Sequence, residues 1–181
     1  MSEELQVLKI VTERLNKADI AYMISGSIAA NYYTVPRMTR DIDIVVELKE
    51  ADINKFVGLF KDDFYLDKET IREEVTQEGI FNLIHNQYVI KIDFIVRKET
   101  EFQNISFSRR RKVLIENNIM WFISAEDLIL AKLLWAKNTH SEMQLKDVKN
   151  LMTTVSNLGL NYIENWISKL GLDNIYKEVR Q

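Results

Sequence analysis

Residues 41–48, Asp-Ile-Asp-Ile-Val-Val-Glu-Leu, alternate carboxylates with branched aliphatics and then become apolar through Val45 and Val46. A period of two fits extended chain, so the segment is predicted as a strand with one face in the core. On such a strand Asp41 and Asp43 share a face, with Cα atoms roughly 6–7 Å apart, while Ile42, Ile44 and Val46 occupy the other. Two carboxylates set side by side repel one another unless water or a cation separates them. A divalent ion, or a pair of ions roughly 3.5–4 Å apart, is the natural counter-charge.

A second acid stands in equally apolar company. In YVIKIDFIV, Asp93 is surrounded by Ile90, Ile92, Phe94, Ile95 and Val96, where a strand ordinarily carries no charge. An ion shared with Asp41 and Asp43 would partner it if the two strands were neighbours. A core ion pair with Lys91 or Arg97 is the plainer alternative. Upstream, Gly26-Ser27 lies between the short apolar run 21–25 and a helix predicted from residue 27. Glycine allows a tight bend there, and a helix amino terminus offers N–H groups to a phosphate.

Composition narrows the chemistry. The 181 residues hold no cysteine and two histidines, so a thiolate site is excluded and a metal would be bound mostly by oxygen, as magnesium or manganese is. With 24 basic and 27 acidic side chains the net charge is −3, which excludes a generally basic, nucleic-acid-coating surface. The amino terminus, MSEELQVLKI, has no basic stretch leading into an apolar one and does not read as a secretory signal. LILAKLLWA at 128–136 is interrupted by Lys132 and is too short to span a bilayer. The expectation is a soluble cytoplasmic protein with no membrane partner.

Periodicity predicts helices over 3–17, 27–33, 51–61 and 69–76, a hairpin over 79–96 turning at Asn86-Gln87, and further strand over 109–123. Beyond Ser124 the pattern is helical, with segments near 125–137, 142–155 and 161–169. Ser124 and Asp127 have capping-box spacing, and Gly159 and Gly171 are expected terminators. The chain is thus predicted as α+β: a mixed β-sheet flanked by helices over residues 1–120, then a C-terminal helical segment, 121–181, packed upon it.

The Gly-Ser turn, the thirteen residues 28–40, Asp-Ile-Asp and the later Asp93 together resemble the nucleotidyltransferase superfamily that includes DNA polymerase β. The wording PRMTRDIDI, with EDLILAKLLWAK and SEMQLKDVKNLM downstream, is similar more narrowly to the AbiEii-type nucleotidyltransferases, several of which are toxins of toxin–antitoxin or phage-defence systems. The likeness runs from about residue 5 to about residue 155. It implies a nucleotidyltransferase-like fold and transfer of a nucleoside monophosphate from a nucleoside triphosphate, with Mg2+ or Mn2+ as cofactor. By the same resemblance Asp41, Asp43 and Asp93 are the metal ligands and catalytic acids, with Asp93 also the candidate to take the acceptor's proton. Gly26 and Ser27 would hold the terminal phosphates, with Lys132, Asp147 and Arg40 at the nucleotide, and Arg37 and Thr39 would shape the acidic strand. The implied partners are the triphosphate, a tRNA, other RNA or protein acceptor, and an antitoxin.

Alternatives stand beside these readings. A small-molecule acceptor of the antibiotic type, or a non-catalytic nucleotide- or partner-binding module, would use the same residues. Lys132 reads equally as a lysine snorkelling to solvent, and Asp147 as a solvated helix flank. Arg109-Arg110-Arg111-Lys112 reads as solvated charge or as a grip on RNA phosphates. Trp121, Trp135 and Trp166 are expected as packing anchors. His85 and His140 receive no role.

Overall fold

A computed structural model describes residues 2–180. Ser2 accepts the amide of Leu5 and starts α1 (Glu3–Lys17), which buries Val7, Leu8, Val11 and Leu15 along one stripe. β1 (Tyr22–Ile24) is three buried residues long and runs directly into α2 (Gly26–Tyr33). β2 (Ile42–Val46) is followed by a single 3-10 turn and α3 (Ile53–Phe60). Next come the short β3 (Phe64–Tyr65) and α4 (Lys68–Gln77), which is capped by Asp67.

β4 (Ile80–His85) and β5 (Lys91–Val96) form the expected hairpin, but the chain reverses over residues 86–90, with Val89 at φ +52°, instead of at Asn86-Gln87 alone. α5 (Glu101–Ser108), capped by Thr100, was not anticipated. The predicted strand over 109–123 is instead a hairpin of β6 (Arg111–Ile115) and β7 (Asn118–Phe122). Its two-residue turn, Glu116-Asn117, has φ of +48° and +65°, the left-handed pair that matches strand twist.

The helical segment is α6 (Ala125–Thr139), α7 (Glu142–Thr154), α8 (Leu160–Leu170) and α9 (Asp173–Arg180). Ser124 caps α6 as its spacing with Asp127 predicts, accepting the Asp127 amide and donating to the Asp127 carboxylate at 2.6 Å. Gly171 ends α8 at φ +62°, whereas Gly159 precedes that helix and terminates nothing. α6 and α7 both contact α2, so this segment packs on the sheet domain. Among the described residues no helix is long and apolar enough to cross a membrane.

The seven strands form one mixed sheet in the order β3-β4-β5-β2-β1-β7-β6. β2 is at its centre, antiparallel to β1 and parallel to β5. Ile42, Ile44, Ile92 and Phe94 are fully buried on one face, where Phe56 meets Phe81 and Phe94 edge to face. Register fixes the opposite face: Asn82 on β4, Asp93 on β5 and Asp43 on β2 stand in one row across three strands. The α+β fold class expected from the sequence is the one observed.

Candidate active site

At the end of β1 the backbone must turn sharply into α2, and Gly26 does so at φ +59°. A Cβ at this position would lie 1.8 Å from Asp43 Oδ2, so only glycine lets the carboxylate close against the helix start. The bend is stitched to β2 by the Ser25 amide, which donates to the Asp43 carbonyl at 2.9 Å. The first-turn N–H groups of α2 thus open beside the acids, with no intrahelical partners of their own.

Asp43 and Asp93 are register partners on adjacent parallel strands, which lie about 4.8 Å apart. The neighbouring strands that the acid pattern required are therefore present. Burial pushes the Asp43 carboxyl above its ordinary value, the negative charges of Asp93 and Asp41 push it further, and Lys132 and Lys91 oppose the shift. Its carboxylate accepts no hydrogen bond from any described residue. Asp41 is the most open of the three, 62% exposed, and Asp93 is 20% exposed. Lys91 donates to Asp93 at 2.8 Å and lies 3.7 Å from Asp41. Asp93 thus both faces its fellow acids and has the lysine partner of the plainer alternative.

These observations decide what the site could hold. All donors are carboxylate oxygens, the set a hard divalent cation prefers, and the central one is desolvated and unpartnered. Among the described residues, however, no three carboxylates or imidazoles are drawn close enough to enclose an ion. The chemistry of the donor set fits magnesium or manganese.

Behind the bend lies a second charged group. Arg37 donates through Nε and Nη2 to the two oxygens of Asp147, at 3.1 and 3.0 Å, and Nη2 also donates to Ser27 Oγ at 2.7 Å. Lys132 donates to Asp147 at 2.8 Å and to Gln144 at 2.9 Å. Both Lys132 and Asp147 are buried, so neither the snorkelling lysine nor the solvated flank is observed. Burial lowers the Lys132 ammonium against the pull of Asp147. Burial raises the Asp147 carboxyl, but the hydrogen bonds from Arg37 and Lys132 outweigh it and hold it low. Arg37, expected only to shape the strand, is the piece that ties Ser27 to the helical segment. Arg40 and Thr39 are not part of this network, and Arg40 is exposed.

Elsewhere the structure redistributes the expected features. Arg109 pairs with Asp127 at 3.1 Å and with Glu126 at 3.6 Å, and lies over the Tyr162 ring. Arg111 reaches Glu126 at 3.8 Å, and Arg110 stacks on Phe107 and Trp121. Arg109 and Arg110 are therefore engaged within the chain, whereas Arg111 is 58% exposed and Lys112 is exposed. Trp166 is buried as expected, but Trp135 is 52% exposed and anchors no core. His85 is buried against Phe64 and Tyr88.

No protein-family model matches the sequence, and no curated protein matches it. Solved structures do match in fold. The lincosamide antibiotic adenylyltransferase LnuA, solved with lincomycin bound, superimposes with a TM-score of 0.54 over 86% of this chain and 98% of its own, at 16% identity. The fold is nucleotidyltransferase-like. The antibiotic-resistance factor ANT(2'')-Ia, in solution, gives a TM-score of 0.58 at 13% identity, over 95% and 92% of the two chains. An antigenic nucleotidyltransferase-like protein from Paracoccidioides brasiliensis gives 0.56 at 15% identity, over 99% and 93%. In this nucleotidyltransferase-like fold the acid row, the Gly26 bend and the Ser27–Arg37–Asp147–Lys132 group occupy one region, because the short β1 joins the first two and α2 contacts α6 and α7.

Proposed function

We propose that this chain is a nucleotidyltransferase that moves a nucleoside monophosphate from a nucleoside triphosphate to an acceptor hydroxyl, releasing pyrophosphate. The observation that carries the reading is the in-register pairing of Asp43 with Asp93 beside the glycine bend. Asp41, Asp43 and Asp93 would hold Mg2+ or Mn2+, which when bound neutralises phosphate charge and lowers the pKa of the acceptor hydroxyl. Gly26, Ser27 and the α2 amides bind the terminal phosphates. Asp93 accepts the acceptor's proton at a carboxylate oxygen. Lys132 supplies positive charge near Asp43, and Asp147 with Arg37 orients Ser27. Arg40, exposed one residue before Asp41, is proposed to meet the nucleotide from the solvent side.

The test is incubation with each of four labelled triphosphates against total RNA, total protein and a pool of hydroxyl-bearing small molecules. Asp41→Ala or Asp43→Ala should reduce transfer by at least 100-fold, in line with loss of a positioned catalytic group, while circular dichroism stays that of the parent. Full activity in either variant would remove this mechanism.

A small-molecule acceptor gains support from two observations. Two of the four basic side chains that pointed to RNA, Arg109 and Arg111, reach Glu126 or Asp127, and LnuA was solved with lincomycin bound. An RNA or protein acceptor, and with it a toxin role answered by an antitoxin, rests on the AbiEii-like wording and, for RNA, on the exposed Arg111 and Lys112. Stabilisation by triphosphate and metal without turnover on any pool would instead mark a non-catalytic nucleotide-binding module.

A further inference from the structure

Lys91 shares the β5 face of Asp93 and precedes it by two residues. Its ammonium is hydrogen-bonded to Asp93 Oδ2 and stands 3.7 Å from Oδ1 of Asp41, the residue just before β2. Two of the three acids are therefore bridged by a positive charge that belongs to the chain itself, and the third, Asp43, lies outside the bridge. The Lys91 side chain is 41% exposed, so its flexible stem has an open path to solvent. A lysine ammonium is a compact point charge, and it blocks the same carboxylate oxygens that an ion would need.

We propose that Lys91 is a positioning residue that serves as a built-in counter-cation, bridging Asp41 and Asp93 in the metal-free chain and swinging outward when a divalent ion enters. The inference rests on the metal-binding reading of the acid row. It gives Lys91 two opposed effects: the ammonium relieves repulsion before binding and competes with the ion during it. Removing the charge therefore weakens the empty site and tightens ion binding, a combination that an ordinary structural ion pair does not produce.

Mn2+ alone is the probe, with free ion counted by electron paramagnetic resonance and the metal-free protein melted in parallel. Lys91→Met, which keeps the apolar stem, should bind Mn2+ about tenfold more tightly than the parent and melt at a lower temperature without metal. Lys91→Arg, which keeps the charge, should bind no more tightly than the parent. Lys91→Gln provides the same comparison if Lys91→Met does not fold. Unchanged or weaker Mn2+ binding in the uncharged variants, with the parent binding normally, overturns the role of Lys91 and leaves the metal reading standing. Absence of Mn2+ binding in the parent and in every variant overturns both.

Discussion

Asp43 is the residue where the proposed function and stability pull in opposite directions. It is desolvated, faces two like charges and accepts no hydrogen bond, an arrangement that costs the empty protein stability. Asp43→Asn keeps the shape and removes the charge. It should abolish transfer and raise the unfolding free energy at pH 7 by about 0.5–2 kcal/mol, the usual scale for relieving a strained functional site. The pH dependence follows from the raised carboxyl. Between the ordinary carboxylate value and the raised one, the folded chain binds more protons than the unfolded one, so parent stability falls as pH rises through that window. The advantage of Asp43→Asn should therefore be full above the raised value and shrink as pH falls through it, as urea melts across that range would measure. Gly26→Ala acts on the same atom from the other side. The left-handed backbone costs about 1–2 kcal/mol, and the new Cβ must push the Asp43 carboxylate aside. A displacement of this order should lower transfer roughly 100-fold, a loss well beyond the drop in stability, readable from initial rates beside a urea titration.

At the scale of elements, the face that Asp43 takes opposite Ile42 and Ile44 was legible because a strand alternates sides, although the strand begins at Ile42 and leaves Asp41 just before it, and the glycine bend was legible because few residues tolerate its φ. What could not be read was register between distant segments. Nothing local to residues 41–46 or 91–96 states that Asp43 opposes Asp93, and the Arg37–Asp147 pair joins residues 110 apart in sequence. Lys91 was visible as a near neighbour of Asp93 on the same strand face, but its reach to Asp41 depends on the strand pairing. α5 escaped because its apolar residues, Phe102, Ile105 and Phe107, are too few to establish a helical period, although Thr100 is an ordinary cap. The β6–β7 turn escaped because Glu116-Asn117 lacks the glycine that usually marks left-handed pairs. The α6 start was legible, and it has a measurable consequence. Asp127 is fully buried and accepts from Ser124, Arg109 and Tyr162. Asp127→Ala leaves the Arg109 charge and the Tyr162 hydroxyl without that acceptor and should cost about 3 kcal/mol of unfolding free energy, with triphosphate affinity of the folded protein unchanged by calorimetry.

Across the whole molecule, charge is handled internally. Arg14 grips Asp63 through both oxygens, Arg37 and Lys132 share Asp147, and Arg109 and Arg111 converge on Glu126. The acid row breaks this habit, since one of its three carboxylates is left without a protein partner. The row is carried by the fourth strand of seven and by the strand beside it, with hydrogen-bonded neighbours on both sides. Fraying begins at the margins of a sheet, and the margins here are the two-residue β3 and the outermost β6. The amides of Ile44 and Phe94 should accordingly exchange with deuterium only through global opening, with the same free energy that denaturant reports. Protein molecules that have lost an edge to breathing would then still keep their carboxylates aligned, and the chemistry would outlast partial melting until the entire domain gives way.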